Sequence, residues 1–319
     1  MPTTADFGKV FALLKERRLP WRMSRWLDRR KLEQARARAD RRVRLTRPFV
    51  TGQEFPQFEV HMLLGHKHVG MTLWSIKSLL HYAARSYKVV LHDDGSLTEE
   101  DIALLEEHLL SVTIIRKTVA DGLIRKHLEH RPNCLRYRFS KKEATDHRGT
   151  KYDEHIFALR LFDFNLLSSA EKVLVLDCDV LFFQRPREIV DWAQDPDLQG
   201  CLYGIEQYVP LRSARHQITG YRYKNPLPTA ANAGLLCLDK RIFNLDAIEA
   251  WIGQNLDRAP KLATFEQHAY NHILRLAANG KALPDSYSFN FTDQAAVASH
   301  FAIKHLFFEN LRRLESVLT

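Results

Sequence analysis

The chain lacks the markers by which several large protein classes are recognised. Its 319 residues contain no uninterrupted apolar stretch of about 18 residues, the length a helix needs to cross a bilayer. No short charged segment leads into an apolar run with a small-residue cleavage site, so the expectation is a protein retained in the cytosol. Cysteine is sparse: Cys134, Cys178, Cys201 and Cys237 stand singly, without the spacing of a zinc site or the density of a disulfide framework. Asn290-Phe291-Thr292 has the form of a glycosylation acceptor, which goes unused without secretion. Glycine-rich phosphate cradles are absent too. Neither G-x-G-x-x-G nor a P-loop occurs, so any nucleotide phosphates must be held by a metal and basic side chains.

What is present fits a globular α/β protein. A hydrophobic content of 45% is enough to fill a core, in one large domain or two smaller ones. The formal charge of +9 is local, because residues 9–47 hold fifteen Lys and Arg against four acids. The chain therefore divides into a basic helical extension, residues 1–48, and a domain over 49–319. Pro20 divides the extension, and Arg22, Arg25, Arg29 and Arg36 recur at spacings that stack them along one side of a helix. Such a segment reads as a solvated helix or basic arm, as an interfacial helix on anionic lipid, or, least supported, as a nucleic-acid contact without a reader motif.

From Phe58 onward strand-like and helix-like segments alternate. Residues 58–64 read as a first strand and 72–85 as a helix with apolar residues at Leu73, Ile76, Leu79, Leu80 and Ala83. Residues 87–91 read as a second strand ending in the turn signal His92-Asp93-Asp94-Gly95, and Ser96, Thr98, Glu99 and Asp101 supply helix-start chemistry. Residues 112–115 make a third strand. This β-α-β-α-β order predicts right-handed crossovers and a mainly parallel central sheet flanked by helices. Residues 131–149 are polar with no period and read as a surface excursion. Residues 152–167 resume as a helix carrying Arg160.

The most informative stretch is Glu171-Lys172-Val173-Leu174-Val175-Leu176-Asp177-Cys178-Asp179-Val180-Leu181-Phe182-Phe183. A Val/Leu run without alternation reads as a strand covered on both faces. Two carboxylates interrupt it where ligands gather in such sheets, at a strand's carboxyl end. Residues two apart in an extended chain point the same way, so Asp177 and Asp179 converge while Cys178 turns aside. One reading is a strand end entering a solvated turn. The other is a site for a hard divalent cation, favoured because four more apolar residues follow Asp179.

At this point the chain resembles the retaining nucleotide-sugar glycosyltransferases of the GT-A fold, the family 8 relatives of glycogenin and the galactosyltransferases. The likeness rests on Phe157-Ala158-Leu159-Arg160-Leu161, on the run around Asp177 and Asp179, on Asn232-Ala233-Gly234-Leu235-Leu236, on Glu266-Gln267-His268-Ala269-Tyr270-Asn271, and on His300-Phe301. It spans residues 58–308. The resemblance implies a Rossmann-like GT-A sheet and transfer of a sugar from a UDP-sugar to a carbohydrate, lipid or protein acceptor. It implies Mn2+ or Mg2+ on Asp177, Asp179 and His300. Arg160 would meet the donor with Asp177 and Asp179, Asn232 would contact the sugar, and Glu266 and Gln267 would line the reacting face.

The family's late histidine is followed by glycine and then Lys-Pro-Trp, whereas here the chain reads His300-Phe301-Ala302-Ile303-Lys304-His305. His305 is thus an alternative third ligand. The segment 207–228, rich in Tyr, Arg and His and lacking a period, reads as an acceptor loop or a basic surface loop. Two other functions fit the pattern: a sugar-phosphate nucleotidyltransferase, whose glycine-rich opening loop is not visible, and a non-catalytic protein that binds membrane or nucleic acid.

Overall fold

The computed structural model describes residues 21–52, 54–140, 143–145, 151–153, 155–197, 200–205, 231–256, 265–276, 280–290 and 292–319, with side chains described from residue 28 onward and not across 143–155. The segment 207–228 lies outside the described residues, as do residues 1–20.

In chain order the first half comprises α1 (Trp21–Val43), β1 (Phe49–Val50), β2 (Phe58–Leu64), α2 (Val69–Ala83), β3 (Lys88–Asp93), α3 (Glu99–His108), β4 (Leu109–Leu110), β5 (Thr113–Ile115), α4 (Lys117–His127) and α5 (Pro132–Phe139). Next come β6 (Glu143–Thr145), β7 (Lys151–Asp153), α6 (His155–Leu167), β8 (Lys172–Leu176), β9 (Val180–Phe182), α7 (Arg187–Gln194) and β10 (Cys201–Ile205). The last part holds β11 (Ala231–Asp239), α8 (Leu245–Asn255), α9 (Phe265–Leu276), β12 (Gly280–Ala282), β13 (Tyr287–Phe289), β14 (Ala298–His300), α10 (Lys304–Asn310) and α11 (Arg312–Leu318).

Seven strands form the central sheet in the order β12-β10-β11-β8-β2-β3-β5. The β8-β2-β3-β5 half is parallel throughout, while β11 runs antiparallel to both neighbours. The expected mostly parallel sheet is therefore present, with one reversed strand. Its two faces explain the unbroken apolar run of β8. Val173 and Val175 enter one core with Phe162 of α6 and Ile248 of α8, and Leu174 and Leu176 enter the other with Leu73 and Ile76 of α2. The helix start read around Thr98 is a full capping box: Thr98 accepts from the Asp101 amide at 3.2 Å, and Asp101 accepts from the Thr98 amide at 2.9 Å. Each bond satisfies an amide that the first helical turn leaves unpaired.

Three expectations need correction. The strand read up to Asp177 is β8, but Asp177 and Asp179 do not continue it as an extended chain. It breaks at Asp177, and β9 leaves the central sheet to pair antiparallel with β14 in a second sheet, ordered β13-β14-β9. Residues 131–149 are not all irregular, because α5 occupies 132–139. Its exposed amides are capped by a carboxylate from far along the chain, with Asn133 and Cys134 donating to Glu249 at 3.0 and 2.9 Å. Arg138, within the span read as a surface excursion, is fully buried with Asp163 at 2.8 Å and Asp121 at 2.8 Å. Finally, α1 is no free arm over its whole length. Ala39 and Val43 are buried in the core, and Trp74 Nε1 donates to the Ala39 carbonyl at 3.2 Å. Lys77 of α2 donates to Thr46 Oγ1 at 2.6 Å and to the Arg47 carbonyl at 2.8 Å. Among the described residues, no helix is long and apolar enough to cross a membrane.

Candidate active site and metal centre

Backbone hydrogen bonds gather the site at the carboxyl end of β8. The Asp177 amide donates to the Gly234 carbonyl at 2.9 Å, continuing the β8–β11 ladder one step past the strand. The Val180 amide donates back to the Asp177 carbonyl at 3.1 Å, closing a turn that carries Asp177 and Asp179. The two carboxylates are thus brought together by a turn rather than by extended chain. Phe301 then donates to the Asp179 carbonyl at 2.9 Å, and His300 pairs with Val180 across β14 and β9. Four segments are fixed around one point without reliance on any side chain.

The side chains complete it. Ligand-type atoms of Asp177, Asp179 and His300 all lie within 4.8 Å of one another. His300 Nε2 stands 3.1 Å from Asp179 Oδ1 and 3.6 Å from Asp177 Oδ2. His305, the alternative ligand, is exposed on α10 and lies outside this cluster. Two carboxylates and one imidazole fit a hard divalent ion such as Mn2+ or Mg2+ that keeps positions open for other oxygens. Gly234 makes the close approach feasible, since a Cβ there would fall 2.4 Å from His300 Cε1 and 2.7 Å from Asp177 Oδ2.

Positive charge surrounds the pair. Lys304, at the start of α10, forms an ion pair with Asp179 Oδ2. Burial works to raise the Asp179 carboxyl, yet His300 and Lys304 hold it far below the usual carboxylate range. Burial likewise opposes charge on His300, and Asp179 with Asp177 outweighs it, so the imidazole is more basic than usual. Behind them Arg160 is 6% exposed and bridges two acids through Nη1, 3.2 Å from Asp177 Oδ1 and 3.2 Å from Glu266 Oε1. Its Nη2 donates to the Ala233 carbonyl. Burial pushes the Glu266 carboxyl up to about 7, against the opposing pull of Arg160. Tyr270 donates to the Arg160 carbonyl at 2.7 Å, tying α9 to α6.

The structure therefore gathers Arg160, Asp177, Asp179, Asn232, Glu266 and His300 by direct contacts. Gln267 is half-buried on the first turn of α9, beside Glu266. Arg160 is committed to Asp177, Glu266 and a carbonyl, a holding position beneath the site. Lys304 is a member of this site that the sequence pattern does not single out. Its signal is position, four residues beyond His300 at the start of the next helix.

No protein-family profile matches the chain, and no curated protein matches it in sequence. Solved structures do match. Galactosyltransferase LgtC in complex with donor and acceptor sugar analogs aligns at a TM-score of 0.52 and 14% identity, covering 82% of this chain and 96% of that one. An active-site mutant of LgtC aligns at 0.50, with the same identity and coverage. Apo mouse xyloside xylosyltransferase 1 aligns at 0.48 and 17% identity over 77% of this chain and 98% of its own. At such identities the LgtC likeness is one of fold. The chain has the GT-A fold and is structurally similar to glycosyltransferases.

Proposed function

We propose that the chain is a metal-dependent glycosyltransferase. It would take a sugar from a nucleoside diphosphate, a UDP-sugar, and pass it with retention to a carbohydrate, lipid or protein acceptor. One observation carries this reading: Asp177, Asp179 and His300 converge within 4.8 Å at the carboxyl end of a central strand, the place where α/β sheets bind ligands. The galactosyltransferase of like fold was crystallised with donor and acceptor sugar analogs, which supports both substrate classes.

Sugar transfer builds negative charge on the departing diphosphate, and a divalent ion held by these three residues would stabilise that charge as a Lewis acid. The protein's own groups do the rest. Lys304 extends the positive field to one side of Asp179. Arg160 fixes Asp177 and Glu266 relative to one another and, with Asp177 and Asp179, forms the donor side of the site. Asn232, Glu266 and Gln267 line the reacting face. A Glu266 carboxyl poised near 7 can accept or donate a hydrogen bond to a sugar hydroxyl at neutral pH.

We also propose that α1 and its flank rest on an anionic lipid surface from the cytoplasmic side. Arg29, Arg30, Lys31, Arg38, Arg41 and Arg44 are exposed. Leu45, Val50 and Leu110 are 75%, 62% and 43% exposed, and Val50 pairs with Leu110 across β1 and β4. Exposed apolar side chains flanked by arginines are what an interfacial surface requires. Four unpaired cysteines support a reducing compartment.

The test is to supply a panel of sugar nucleotides with Mn2+ and measure release of nucleoside diphosphate. Mn2+-dependent UDP release is the expected result. Pyrophosphate release from a nucleoside triphosphate and a sugar phosphate would replace this reading with a nucleotidyltransferase. Binding without turnover across the panel would leave a binding protein.

A further inference from the structure

We propose that Arg36, on the helix that precedes the glycosyltransferase-like region, is a binding residue for the diphosphate of the donor; this rests on the donor reading above. The helix α1 lies before residue 58, where the family resemblance begins, yet its path along α2 is fixed by contacts. Thr46 and Arg47 meet Lys77, and Ala39 accepts from Trp74 at 3.2 Å. Seven residues back along each segment, Asp40 lies against Gly70, its carboxylate filling the space a Cβ would take. The two helices thus run side by side in the same direction. One turn before Asp40, about 6 Å along the axis, Arg36 passes the start of α2 and comes level with His66–His68. That turn follows the carboxyl end of β2, the strand beside β8, where α/β sheets bind ligands.

Helical spacing sets which way the side chain faces. Ala39, Asp40 and Val43 follow Arg36 by three, four and seven residues and share its face, and Ala39 and Val43 are buried in the core. Arg38 and Arg41, on the far side, are exposed. Arg36 is half-buried, and its Nε is shut off from solvent without a hydrogen-bond partner. A buried guanidinium N–H left open is costly unless an acceptor completes it. The same helix packs on α10, which starts with Lys304. Burial makes the His68 imidazole less basic, Lys304 and then Arg36 lower it further, and Asp94 and Asp179 oppose them. One ring thus lies in the fields of Arg36, Lys304 and Asp179. Lys304 is held by Asp179, whereas Arg36 pairs with no carboxylate among the described residues. A diphosphate on an ion at Asp177, Asp179 and His300 keeps oxygens that the ion does not use, and the planar fork of a guanidinium matches two of them.

The experiment compares wild type, Arg36→Ala and Arg36→Lys in the full chain. Calorimetric titrations with Mn2+ alone, then with UDP, GDP and CDP and their nucleosides at saturating Mn2+, separate the metal, the phosphates and the base. Arg36→Ala should bind Mn2+ and the nucleoside as wild type does, and the preferred diphosphate weaker by about 10-fold or more, the scale of a lost charge-assisted hydrogen bond. Arg36→Lys, a point charge without the fork, should fall between. A second measurement needs no alanine variant: the Arg36 Nε–H signal in 1H–15N spectra of wild type, assigned by its loss in Arg36→Lys, should move when the diphosphate is added. Wild-type diphosphate affinity in Arg36→Ala overturns the proposal, as does an Nε–H signal that stays in place. Intact diphosphate affinity with lost transfer would put Arg36 at the acceptor and overturn it as well. A wild type that binds Mn2+ but no nucleoside diphosphate would sink the donor reading and this inference with it, a result distinct from the others.

Discussion

Gly234 and His300 approach so closely that only a hydrogen fits between them, a Cβ on Gly234 falling 2.4 Å from Cε1 and 2.7 Å from Nδ1 of the ring. Gly234→Ala should therefore push His300 away from the carboxylates. Overpacking of this kind destabilises by about 1–3 kcal/mol, read by denaturant unfolding, and Mn2+ affinity should fall with it. Unchanged stability and affinity would mean that the ring does not sit where this geometry puts it.

Asp179→Asn removes the charge that His300 and Lys304 share. The amide keeps the side chain's shape, so circular dichroism should show a folded protein. Mn2+-dependent diphosphate release should drop by about a hundredfold or more, the order lost when a group stabilising transition-state charge is removed. Chelation of Mn2+ should depress wild-type turnover and leave the variant's residual rate unmoved. Full activity in the variant would take Asp179 out of the site.

Glu266 predicts a pH dependence of stability. Burial raises its carboxyl from an ordinary 4.5 to about 7, so the folded state holds that proton more firmly than the unfolded chain. The resulting stability is fully present below about pH 4.5 and is lost as pH rises through about 7. Glu266→Gln cannot ionise. Its melting temperature relative to wild type should rise between pH 4.5 and pH 7.5, and a difference constant across that range would remove the effect.

For the basic face, deleting α1 is the wrong test, since it strips Ala39 and Val43 from the core. Replacing Leu45 and Val50 with Ser and reversing Arg29, Arg30 and Arg38 to Glu touches exposed side chains only. Co-sedimentation with vesicles rich in phosphatidylglycerol should fall sharply, with diphosphate release from a soluble donor unaffected. Equal sedimentation of variant and wild type would end the lipid proposal.

Local periodicity made much of this fold legible. The strand read over 58–64 is β2 to the residue, and the helix starting at Thr98 carries both bonds of its capping box. The missed elements depend on distant partners. Pro132 in the first turn is the local signal for α5, but its capping carboxylate, Glu249, lies far along the chain, and the charge of Arg138 hides its burial with Asp163. Asp177 and Asp179 stood out because acids interrupt an apolar run. That the chain leaves one sheet for another between them could not be read from residues alone, since Val180-Leu181-Phe182 is as apolar as the strand before it.

The switch of sheets between Asp177 and Asp179 has a mechanical consequence. One acid rides with the large sheet, while the other and His300 ride with the three-stranded one. An ion coordinated across this boundary would rivet two bodies otherwise joined by a turn and by packing. Adding Mn2+ should thus slow amide exchange in β9, β13 and β14 far more than in the distant β3 and β5, coupling occupancy of the centre to the cohesion of the whole domain.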